Sequence, residues 1–98
     1  MEQKAKQIAE LLKVLANEYR LLILCELIKG PKTVSSLGGK IQNITQPALS
    51  QHLTLLKAHG ILDSSKSGQN VTYFIADSRV EEIIFTLKKY YCDEEDSI

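Results

Sequence analysis

The sequence carries no excess of either charge: twelve Lys and Arg stand against twelve Asp and Glu, for a formal net charge of zero. The easiest signature of a nucleic-acid binder, an overall basic chain, is therefore missing. Long apolar runs are missing too. The longest, Leu21 to Cys25, falls far short of the roughly 20 residues that a membrane-spanning helix needs. Met1-Glu2-Gln3-Lys4-Ala5-Lys6 leads into no apolar signal-peptide core. These absences point to a cytoplasmic protein without membrane attachment. Cysteine occurs only twice, which in that compartment disfavours a structural staple and leaves inert packing or thiol chemistry. Histidine also occurs twice, and neither His52 nor His59 has an acidic or cysteine neighbour at ligand spacing, so no metal is assigned. No catalytic triad or carboxylate pair is recognisable. Gly38-Gly39 lies within a helical pattern and lacks the Lys-Ser/Thr of a phosphate-cradling loop. Neither an enzyme nor a cofactor is expected.

What is present is enough for one domain. The 98 residues, 44% hydrophobic and 24% charged, suit a single globular unit spanning 1–98, with no repeat and no linker. The charge is zoned. Up to Ser78 nine basic residues outnumber six acidic ones; from Arg79 onward three basic residues face six acidic ones.

Apolar residues at Ala5, Ile8, Leu11, Leu12 and Leu15 recur at helical spacing and predict an amphipathic helix within about residues 2–15. Asn17 is a good cap for a second helix, Glu18 to about Lys29. That helix is apolar nearly all round and is stopped by Gly30-Pro31, so it should cross the middle of the domain. Thr33 can cap a short third helix holding Val34, Leu37 and Ile41. Thr45 caps a stronger fourth, about 46–59, with Pro47 in its first turn and Gly60 at its end. Ile61-Leu62 and Val71 to Ile75 read as strands of a hairpin, about 61–75, with the polar stretch Asp63 to Asn70 as a loose tip. Asp77 or Ser78 caps a final helix, about 79–92, followed by an acidic tail expected to fray.

This order, mainly α with a β-hairpin, is that of a winged helix-turn-helix, and it makes the fourth helix the recognition helix. On it His52, Leu53 and Leu56 fall within about 60° of Leu49 and this stripe faces the core. Pro47, Ser50, Gln51, Thr54, Lys57 and Ala58 occupy the opposite arc. That arc is small, polar and nearly uncharged, as suits a helix that enters a major groove and bonds base edges and phosphates. The candidate DNA contacts are Thr45, Gln46, Pro47, Ser50, Gln51, Thr54 and Lys57, with Lys66, Gln69 and Asn70 on the hairpin. The spare apolar faces of the first and last helices, Ile8, Leu11, Leu15 and Ile83, Ile84, Leu87, Tyr90, are expected to bury against a second copy.

The runs Leu12 to Leu24, Gln46 to Leu62 and Val71-Thr72-Tyr73-Phe74 resemble the ArsR/SmtB family of bacterial transcriptional repressors. Within them, Ser50-Gln51-His52-Leu53-Thr54-Leu55-Leu56-Lys57-Ala58-His59-Gly60 is among the more specific family marks. The resemblance implies a homodimer that binds an inverted repeat of double-stranded DNA and is released by an inducer. Metal-sensing members carry cysteines where this chain has Val34-Ser35-Ser36-Leu37, or histidines on the last helix, where it has none; Asp77-Ser78-Arg79 stands in place of the zinc motif. The two cysteines, Cys25 in the second helix and Cys92 at the end of the last, instead resemble the persulfide-responsive branch. There the two thiols face each other in one subunit, and oxidation or persulfidation links them and weakens DNA binding. Two alternatives stay open: a repressor that senses arsenite or another thiophile, and a winged-helix module that binds protein.

Overall fold

The computed structural model describes residues 1–91; residues 92–98, which include Cys92 and the acidic tail, lie outside the described residues. The element order is α1 (Glu2–Leu15), α2 (Glu18–Ile28), β1 (Lys32–Thr33), α3 (Val34–Lys40), α4 (Gln46–Ala58), β2 (Leu62–Ser67), β3 (Asn70–Ile75) and α5 (Ser78–Tyr91).

The helix boundaries follow from local chemistry. The Asn17 side chain accepts from the amides of Tyr19 and Arg20, the Thr33 hydroxyl from Ser36 and the Thr45 hydroxyl from Ala48, so α2, α3 and α4 each begin on a satisfied cap. Helix α4 ends in a Schellman motif. The Ile61 amide donates to the Leu56 carbonyl and the Gly60 amide to the Lys57 carbonyl, at 3.0 and 2.9 Å. Gly60 sits at φ +75°, a left-handed conformation that a side chain would disfavour. Ile61 and Leu56 are both fully buried and belong to the same apolar core.

Helix α2 runs through the centre. Ile23, Leu24 and Leu27 are buried there, packed with Leu49, Leu53 and Leu56 of α4 and with Val80 and Ile84 of α5 in one core. Burial of each such Leu or Ile stabilises the fold by about 1.5–3 kcal/mol. No polar side chain is fully buried among the described residues.

The sheet differs from the expected two-stranded wing in two ways. A third strand, β1, pairs antiparallel with β3, Lys32 opposite Tyr73 and Thr33 opposite Thr72, giving the order β1-β3-β2. Two residues are too few to show an alternating pattern, but their pairing covers the edge of β3 that would otherwise stand open. The hairpin tip is also tight and not loose. Pairing continues from Leu62–Ile75 out to Ser67–Asn70, leaving only Gly68 and Gln69 as the turn, with Gly68 at φ +63°. Asp63 to Ser67 lack apolar alternation because the outer part of the hairpin projects into solvent, where backbone pairing with β3 holds it.

Helix α1 stands apart from this body. Residues 1–10 are exposed throughout, and only Leu15 is buried, with Leu11 and Val14 half-buried. No helix among the described residues is long and apolar enough to cross a membrane.

Candidate nucleic-acid interface and thiol cleft

Helix α4 presents the expected face. Thr45, Gln46, Pro47, Gln51, Thr54 and Lys57 are exposed, while Ser50 is half-buried. Thr45 is partly committed, since its hydroxyl caps the helix at 3.3 Å from the Ala48 amide. The Lys57 ammonium donates to the Ser64 hydroxyl at 2.7 Å, which ties the last turn of α4 to the root of the hairpin. Lys66, Gln69 and Asn70 are all exposed on the hairpin. Lys66 pairs across from Val71, two rungs below the turn, and Asn70 forms the last rung with Ser67.

The turn before α4 is held from behind by a residue that sequence reasoning missed. The Tyr19 hydroxyl donates to the Asn43 carbonyl at 2.8 Å. Asn43 is left-handed at φ +62°, a conformation Asn tolerates better than most residues. The ring of Tyr19 also lies 6.1 Å from that of His52, tilted by 31°. His52 is half-buried, and burial, followed by the nearby Arg20 charge, holds its pKa below the ordinary value. His59, at the end of α4, is exposed. The signal for Tyr19 is a long-range bond between residues 24 positions apart, which no local pattern announces.

The apolar faces of α1 and α5 divide into two groups. Leu15 and Ile84, expected to await a second copy, are 4% and 1% exposed and belong to the core of their own chain. They lie on the inward side of each stripe, so their apolar area is already covered. Leu11 and Ile83 are half-buried. Ile8, Leu87 and Tyr90 are 52%, 43% and 74% exposed, and are joined by Leu12, which the sequence reading left out, at 49%. Ile8 and Leu12 are four residues apart and share one outward stripe of α1. Where α5 begins, Asp77 accepts from the Arg79 amide and guanidinium, and that side-chain bond holds its carboxyl below the usual range.

Cys25 lies half-buried in the wall of a cleft of about 650 Å³ between α2 and α5. Ala16, Leu21, Leu22, Ile84, Leu87 and Tyr91 line the same cleft. Cys92 itself lies outside the described residues; Tyr91 is its neighbour in sequence. Among the described residues no three His, Cys, Asp or Glu side chains gather in a way that could hold a metal ion.

A family profile described as the HxlR-like helix-turn-helix matches residues 14–96. The chain is 38% identical over 92 residues to the HTH-type transcriptional regulator YgaV of Escherichia coli K12, covering 94% of this chain and 93% of that one. The chain belongs to the ArsR/SmtB-type winged-helix regulators. The reduced form of HlyU from Vibrio cholerae superimposes with a TM-score of 0.88 at 37% identity, over 94% of this chain and 96% of that one. The repressor BigR from Xylella fastidiosa does so with a TM-score of 0.85 at 32% identity, over 97% and 93%. This ArsR/SmtB-type chain is thus a DNA-binding transcriptional regulator of the repressor kind and not an enzyme.

Proposed function

We propose that the chain acts in the cytoplasm as a homodimer on an inverted-repeat operator, and that thiol chemistry joining Cys25 to Cys92 releases it. The observation that carries this reading is the place of Cys25 in the wall of the α2–α5 cleft, with Tyr91 lining the same cleft one residue before Cys92. HlyU, a relative by sequence, is described in one structure specifically as reduced, which makes thiol state a relevant variable for that protein.

The dimer is supported by α1. A helix with residues 2–10 exposed and an apolar stripe through Ile8 and Leu12 gains little from its own chain. A second copy packed on that stripe and on Leu87 and Tyr90 removes this apolar surface from water. Two-fold symmetry then sets two α4 helices about 34 Å apart, one turn of DNA. Gln46 and Gln51 read base edges, and Ser50, Thr54, Lys57 and Lys66 hold phosphates or neighbouring bases, with Thr45, Pro47, Gln69 and Asn70 at the margins.

The chemistry balances without a cofactor. One cysteine thiolate attacks a sulfane sulfur of polysulfide, taking up that sulfur and releasing the shortened polysulfide. The second thiolate attacks the cysteine-bound sulfur of the persulfide, forming the disulfide and expelling hydrosulfide. The link ties the end of α5 to α2 and alters the spacing of the two α4 helices. Coupling of about 1–3 kcal/mol, roughly 5- to 150-fold in affinity, is of ordinary allosteric size.

The test is a DNA-shift titration on a selected operator at saturating polysulfide, with mass spectrometry on the same samples. The unmutated protein should lose affinity within that range as the linked mass appears, and Cys25→Ser should not respond. A Cys25→Ser protein that responds like the unmutated one overturns the switch. An adduct with arsenite and none with polysulfide would replace sulfur by a thiophile as inducer. Binding insensitive to salt would point to a protein partner, because phosphate contacts weaken steeply with salt.

A further inference from the structure

One cation at the edge of the core lacks a counter-ion. The Arg20 side chain is half-buried, and its Nε is enclosed with no acceptor among the described residues. The ion pairs formed among those residues, Lys29 with Glu26 and Arg79 with Asp77, do not include it. Its place in the sequence explains the enclosure. At 100° per residue, Arg20 heads the same stripe of α2 as Ile23, Leu24 and Leu27, which are 0%, 0% and 4% exposed. Glu18, its nearest acid in sequence, stands on the other side of α2 and lines the cleft beside Cys25. A half-desolvated charge without a counter-ion is costly, so this guanidinium is better satisfied with an anion beside it than without one.

The neighbours of Arg20 indicate which anion. The exposed arc of α4 through Pro47, Gln51, Thr54 and Ala58 has two edges. Lys57 stands at one of them, tied to Ser64 at the root of the hairpin. Ala48, His52 and Leu55 stand at the other and are half-buried. The start of α2 lies along this second edge. The Tyr19 ring is 6.1 Å from that of His52, and the Arg20 charge is close enough to add to burial in lowering the His52 pKa. Arg20 and the hairpin therefore flank α4 from opposite sides. A major groove about 12 Å wide is bounded by two phosphate backbones. A hairpin on one side of α4 can reach only one of them.

We propose that Arg20 binds a DNA backbone phosphate on the side of the major groove away from the hairpin, so that α4 is clamped between the two backbones. The proposal rests on the reading that α4 enters a major groove, and adds a phosphate ligand from α2. The terminal nitrogens of the guanidinium donate to the phosphate, while the enclosed Nε and the buried stem fix its direction. Such a contact sets the register of α4 on the duplex and leaves base choice to α4 itself.

The experiment measures binding of the full chain to a selected operator as a function of salt, for the unmutated protein, Arg20→Gln and Arg20→Lys. Urea unfolding of each is followed without DNA. Arg20→Gln should weaken operator binding at least about tenfold. It should also flatten the logarithmic salt slope by about 0.9 for each Arg20 engaged. Its urea midpoint should stay level or rise, because a half-buried charge is removed and no partner is orphaned. Arg20→Lys keeps the charge and should hold most of the slope. Ethylation of operator phosphates then maps the contact. The phosphates that cease to interfere in Arg20→Gln and in Lys66→Ala should lie on opposite backbones of one major groove. An Arg20→Gln protein with an unchanged salt slope overturns the proposal, as does one whose midpoint falls in step with its affinity. Phosphates shared with Lys66→Ala overturn it too. The α4 reading is tested apart by methylating guanine N7 in the operator. Methylation that interferes nowhere takes α4 out of the major groove and the proposal with it. Methylation that interferes, with an unchanged slope in Arg20→Gln, sinks Arg20 alone.

Discussion

The hydroxyl of Tyr19 donates to the carbonyl of Asn43 across 2.8 Å, joining the start of α2 to the turn that aims α4. The turn is thereby referenced to the central helix of the core and not only to its own flanks. Tyr19→Phe removes one hydrogen bond at little change in volume, and such a bond is worth about 0.5–1.5 kcal/mol. The urea midpoint should fall by a corresponding amount, and operator affinity should fall with it as α4 loses its fixed approach. An affinity loss with no change in midpoint would show that Tyr19 acts on DNA directly.

His52 gives the fold a pH dependence of known sign. In the folded chain its pKa lies below the ordinary 6.5 because of burial and the Arg20 charge. The unfolded chain therefore binds more protons between the two pKa values, and stability rises with pH there. The contribution is complete above about pH 6.5 and is lost as the pH falls through the folded value. Urea midpoints measured from pH 7.5 to 5 should drop for the unmutated chain more steeply than for His52→Gln. Parallel profiles would remove His52 as the cause.

The outward stripe of α1 predicts an assembly defect without a folding defect. Ile8→Glu and Leu12→Glu place charges on positions 52% and 49% exposed in the single chain. Thermal unfolding of the monomeric unit should change little. Sedimentation should show the monomer, and operator affinity should fall roughly a hundredfold with the loss of bivalent binding. Dimers of unchanged mass would place the contact elsewhere.

Base reading and phosphate binding separate along the interface. Gln46→Ala and Gln51→Ala should each relax preference at one base pair, at about 1–3 kcal/mol. Lys66→Ala should weaken all duplexes alike and lower the salt slope by about 1. A protein carrying both Gln46→Ala and Gln51→Ala with full sequence preference would mean that neither amide reads a base.

Much of this architecture was legible because its signals are local. Asn17, Thr33 and Thr45 are caps by residue type, Pro47 and Gly60 bracket α4, and the period of Leu49, Leu53 and Leu56 fixes which side turns inward. What escaped depends on distant partners. Lys32 and Thr33 become a strand only because β3 lies beside them, and Asp63 to Ser67 pair although nothing in their side chains alternates. Leu15 and Ile84 share a period with residues that stay outside, and only the path of α2 decides which part of each stripe is covered. Within the candidate site, the exposed arc of α4 could be read from spacing, whereas the Lys57–Ser64 tie and the apolar wall around Cys25 required the chain to be folded.

Ile61 has a mechanical consequence. Its amide is bonded to Leu56 at the end of α4, while its carbonyl accepts from Ala76 at 2.9 Å, just ahead of α5. One fully enclosed residue thus joins the end of α4 to the segment that leads into α5 by a backbone bond on each side. On the switch proposed above, a displacement at the far end of α5 would reach α4 through this one residue.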